Sequence, residues 1–109
     1  MIWYTDFARG FLGRLDPASG KVTEFMLPAK GNSLPYAMTV DDKDRLWLVE
    51  TGVQPNRLVG FDPKTSDFFS ITPIEPSGGL TVRHMTFNKA TREIWFGTDA
   101  NTIGRAKVP

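Results

Sequence analysis

The feature that most constrains this chain is a repeat built on its three tryptophans. Ile2-Trp3-Tyr4-Thr5-Asp6 leads to Leu12-Gly13-Arg14-Leu15. Leu46-Trp47-Leu48-Val49-Glu50 leads to Leu58-Val59-Gly60-Phe61, and Ile94-Trp95-Phe96-Gly97-Thr98-Asp99 leads to Ile103-Gly104-Arg105. The tryptophans stand 44 and then 48 residues apart. A period in the forties with strand-forming content is the signature of a β-propeller blade, in which each repeat is a small antiparallel sheet that buries its faces on its neighbours.

The rest of the chain fits that repeat. Ile2 to Thr5, Phe11 to Leu15 and Lys21 to Leu27 read as strands, the last from its polar–apolar alternation. Asp16-Pro17-Ala18-Ser19-Gly20 is a turn, because proline presets φ and glycine accepts a positive one. Asp62-Pro63-Lys64-Thr65-Ser66 is a second copy of it. Tyr36 to Val40, Arg45 to Val49, Arg57 to Phe61 and Asp67 to Thr72 make the most complete unit. Val82 to Phe87, Glu93 to Gly97 and Thr102 to Lys107 make the third. Proline, glycine and β-branched residues interrupt every window long enough for a helix. Labelled a to d from the propeller axis outward, the strands run b-c-d, a-b-c-d, a-b-c. The expected fold is therefore all-β, a single partial propeller domain over residues 1–109 with units at about 1–35, 36–79 and 80–109.

Two and a half blades cannot close a ring, and each end leaves a raw sheet face. The expected partner is either further copies of the chain or the missing portion of a longer parent. Two copies would make a ring of six units, four of them three-stranded.

Composition narrows the function classes. With 40% hydrophobic and 23% charged residues the chain is globular rather than disordered. The net charge of +1 and the scattered lysines and arginines argue against a nucleic-acid groove or a polybasic membrane patch. No cysteine is present, which excludes disulfides and thiolate metal sites. The first residues lack the basic and apolar regions of a signal peptide, so the compartment is open, with the cytoplasm as default. No apolar run approaches the roughly 18 residues of a membrane span.

The repeat also points to a site. Asp6, Glu50 and Thr98 each lie three residues after a tryptophan, with Asp99 next to Thr98. Tyr36 and His84 each lie eleven residues before one, which predicts equivalent places near the start of an inner strand. On a propeller that is the mouth of the central channel, where Asp6, Tyr36, Glu50, Arg83, His84 and Asp99 would converge. Carboxylates such as Asp99 and Glu50 can hold Mg²⁺ or Ca²⁺, and a neutral histidine nearby can act as a general base. Plainer readings stand beside these: a hydrogen-bonded surface histidine, carboxylates solvating strand ends, and tryptophans packed between blades. Gly13, Gly60 and Gly104 read as places of close sheet packing, and no phosphate-loop or nucleophile-elbow pattern occurs.

Asn101-Thr102-Ile103-Gly104-Arg105, Ile94-Trp95-Phe96 and Asp16-Pro17-Ala18-Ser19-Gly20-Lys21-Val22-Thr23-Glu24-Phe25 resemble the repeats of the streptogramin lyases, the virginiamycin B lyase family, over essentially the whole chain. The resemblance implies a segment of a bacterial seven-bladed propeller. It also implies elimination at the ester of a cyclic depsipeptide, with a histidine base and a glutamate-held Mg²⁺. His84 fits the base. Tyr36 stands where a second histidine is expected, and with Arg83 it would contact substrate. Val82 replaces one metal-binding glutamate, so Asp99, with Glu50, is left to hold the cation. The other readings are a non-catalytic binding module, a self-assembling module that has lost the lyase site, and a calcium-dependent lactonase similar to gluconolactonase propellers.

Overall fold

The computed structural model describes residues 1–109. Its ten strands form three antiparallel sheets. The first contains β1 (Ile2–Asp6), β2 (Phe11–Leu15) and β3 (Val22–Met26). The second contains β4 (Pro35–Val40), β5 (Leu46–Glu50), β6 (Arg57–Asp62) and β7 (Asp67–Pro73). The third contains β8 (Val82–Asn88), β9 (Glu93–Thr98) and β10 (Ile103–Lys107). Strands pair in chain order within each sheet. A single 3₁₀ turn, Lys30–Asn32, interrupts the first linker.

The sheets stack face to face, and the central one is covered on both sides. β5 is buried along its whole length, as a run of apolar residues between two neighbours requires. Trp47, Val49 and Leu58 pack toward the third sheet with Val82, Ile94, Phe96 and Val108. Leu46, Leu48, Val59 and Phe61 pack toward the first with Leu12, Leu27, Trp3 and Phe25. Alternation along one strand thus serves two cores.

Register identifies equivalent residues in the three sheets. The tryptophans lie opposite Arg14, Gly60 and Arg105. In the outer sheets that arginine lies over the indole, 5.6 Å from the ring centre in both cases. In the central sheet Gly60 leaves room for Phe69 to meet Trp47 edge-on at 5.2 Å, and Arg45 supplies the cation at 5.9 Å. All three glycines are places of close packing. A Cβ on Gly13 or Gly104 would lie 2.0 Å from the ring of Tyr4 or Phe96, and one on Gly60 2.7 Å from Phe69. Their places differ, however: Gly13 and Gly104 face the residue after the tryptophan, whereas Gly60 faces the tryptophan itself.

The two Asp-Pro turns have one construction. Asp16 and Asp62 each accept a backbone N–H two residues on, from Ala18 and Lys64, at 2.9 Å. Gly20 and Ser66 close them at φ 74° and 57°, bonding back to the Asp16 and Asp62 carbonyls.

Candidate functional site

β4 and β8 are the innermost strands and pack against each other. Both bulge near their starts: two residues, Tyr36 and Ala37 or Arg83 and His84, span one paired step of the neighbouring strand. This corrects one equivalence. Counting back from tryptophan pairs Tyr36 with His84, but the register pairs Tyr36 with Arg83 and Ala37 with His84. The cause is the hairpin tip. Thr39 pairs with Trp47 and Thr86 with Trp95, so the third repeat carries one more residue between the two strands.

The bulges still bring rings together. The Tyr36 ring lies edge-on to His84 at 6.4 Å, and Phe7, from the loop after β1, lies edge-on to Tyr36 at 6.0 Å. One exposed ring from each sheet therefore forms a row along the inner edge of the stack. Phe7 is the member that the sequence did not single out; it falls outside the strand pattern, and only its size and its position four residues after Trp3 could have drawn notice.

Arg83 and Asp99 sit beside this row as a pair. Arg83 Nη2 and Nε donate to Asp99 Oδ2 at 3.0 and 3.3 Å. That hydrogen bond and the carboxylate charge hold the Arg83 guanidinium above its ordinary pKa. Both side chains are largely exposed, so the pair is weakly stabilising but presents two charges to solvent. With His84, Gly97, Asn101 and Thr102 they line an open hollow of about 650 Å³.

The positions three after each tryptophan have a different task from the one expected. Glu50 is fully buried. Its Oε1 accepts from Arg57 Nη2 at 2.6 Å and Nε at 3.0 Å, and its Oε2 accepts the Ala29 N–H at 2.8 Å. Both oxygens are thus committed, and no solvent face is left for a cation. Asp6 accepts from Arg9 Nε at 2.7 Å and Arg9 N–H at 3.1 Å; those hydrogen bonds, the side-chain one foremost, hold its carboxyl below the usual range. Thr98 Oγ1 meets Thr102 Oγ1 at 2.6 Å and accepts the Ala100 N–H at 3.1 Å. In the outer sheets this side chain fastens the loop that follows its strand, whereas Glu50 ties β5 to β6 and to the linker that precedes β4. No group of three or more histidine, aspartate or glutamate side chains comes together in a geometry that could hold a metal ion.

Face-to-face antiparallel sheets around an inner edge, each with a tryptophan strand in an equivalent place, define an incomplete β-propeller. No protein-family model and no curated protein sequence matches the chain. Among solved structures, a streptogramin B lyase superposes with a TM-score of 0.80 at 19% identity, covering 98% of this chain and 33% of that one. A catalytically inactive virginiamycin B lyase from Staphylococcus aureus with quinupristin superposes with a TM-score of 0.68 at 20% identity, covering 98% and 37%. The chain has the fold of about a third of a streptogramin lyase propeller.

Proposed function

We propose that this chain is the segment of a virginiamycin B lyase-like propeller that carries the base of an eliminative ring opening. The observation that supports this reading is the exposed imidazole of His84. It stands on the inner edge beside Tyr36 and the Arg83–Asp99 pair, in a fold shared with two lyase structures. In the proposed reaction His84 takes a proton from the carbon next to the one bearing the ester oxygen. The electron pair forms a C=C bond, the C–O bond breaks, and the carboxylate leaves. Tyr36 limits the tilt of the imidazole, and Arg83 offers a guanidinium to the departing carboxylate. The family's Mg²⁺ has no complete ligand set among these residues.

The test is incubation of the full chain with a streptogramin B. Elimination opens the ring without change of mass, whereas hydrolysis adds one water. The expected result is an isomer of unchanged mass with the wild type and none with His84→Ala. Binding without ring opening would overturn the catalytic reading. It would favour the second one, a binding module, for which the committed Glu50 and Val82 in place of a glutamate both argue.

A further inference from the structure

Equivalent positions in the three sheets differ sharply in burial. Leu12, Leu58 and Ile103 each pair with the residue two after the tryptophan. Leu12 is 0% exposed and Leu58 4%, covered by the next sheet, whereas Ile103 is 78% exposed. Trp47 and Trp95 repeat the contrast, at 3% and 37%. The tryptophan face of the third sheet is therefore the same surface that the other two sheets bury, left open. The opposite end mirrors it. Leu46 and Ile94, the residues before two of the tryptophans, are buried against a preceding sheet, and their equivalent Ile2 is exposed together with Val22 and Met26. The chain thus carries, at opposite ends, the two halves of an interface that it already makes twice internally.

We infer that these open faces recognise each other, so that the partner is a second copy docked head to tail: the Trp95–Ile103 face of one copy covers the Ile2–Val22–Met26 face of the next. Two features favour this occupant. The interface is a continuation of two apolar interfaces within the chain. The two faces are also different surfaces, which is the heterologous arrangement that closes into a ring when the rotation permits. Exposed apolar side chains at both ends supply the drive for association. The inference does not depend on the catalytic reading, because neither Ile103 nor Ile2 has a part in the proposed reaction.

Complementation of two variants tests it. Ile103→Glu spoils one face and Ile2→Glu the other, and both positions are exposed, so each variant keeps its fold by circular dichroism. Light scattering on a sizing column should show the wild type at a multiple of the chain mass and each variant reduced to one chain. An equimolar mixture should recover a species of two chains, because one intact interface remains between unlike variants. A monomeric wild type, variants that assemble like the wild type, or a mixture that stays monomeric would each overturn the inference. A monomeric wild type would assign these faces to neighbouring blades that are not copies of this chain.

Discussion

Two buried acids show how much of this fold rests on single side chains. Glu50 joins the central sheet to the linker that precedes it, through Arg57 and the Ala29 N–H. Removing one member of a buried ion pair leaves the other uncompensated, so Glu50→Ala should cost about 3 kcal/mol in denaturant unfolding. Because this carboxylate works inside the fold, added Mg²⁺ should not offset that loss. Asp41 plays the same part at the hairpin before β5. Burial pushes its carboxyl up, but the Trp47 indole N–H at 2.8 Å, the Arg45 and Lys43 N–H groups and the Arg45 guanidinium outweigh burial and hold it below the ordinary 3.8. A carboxyl with a lowered folded-state pKa contributes stability that is fully present above its unfolded value and is lost as pH falls through the folded one. Melting temperature should therefore fall as pH drops below about 3.8, and Asp41→Asn should flatten that part of the profile.

At the scale of elements, the paired Asp-Pro turns offer a controlled comparison. Gly20 and Ser66 occupy the same left-handed closing position, where a side chain is strained. Ser66→Gly removes that strain but loosens the unfolded chain, so the expected gain is about 0.5 kcal/mol, read as a shift in the urea midpoint. Both turns were legible in the sequence, because Asp-Pro with Gly20 or Ser66 three residues after the proline is a local turn signal. The ten strands were legible for a similar reason: their apolar periods and turn residues are local. What escaped was anything set by register. The extra residue at the β8–β9 tip displaced the match of Tyr36 with His84. Glu50 was misread because its partners come from a neighbouring strand and from a linker 21 residues away, which no count from tryptophan reveals.

In the whole molecule, stability should be graded from the centre outward. β5 and β6 belong to a sheet buried on both faces, whereas β3 and β10 are edge strands of sheets open on one face. Local opening is easiest where few apolar contacts must be lost. Hydrogen exchange should accordingly be slowest at Leu48, Val49 and Val59 and fastest in β3 and β10. Slow exchange spread evenly over the three sheets would show that they open as one unit.

The uneven hairpin tips have a practical use. Residues Lys89 and Ala90 are exposed at the β8–β9 tip, the far end of the hairpin from His84, and the repeats already differ in length there. A short peptide tag inserted between them should leave strand pairing and the inner edge intact. The same insertion inside the β8 bulge would break the β8–β9 register beside His84. The molecule thus has a place for a fluorophore or an affinity handle that leaves both open faces and His84 unobstructed.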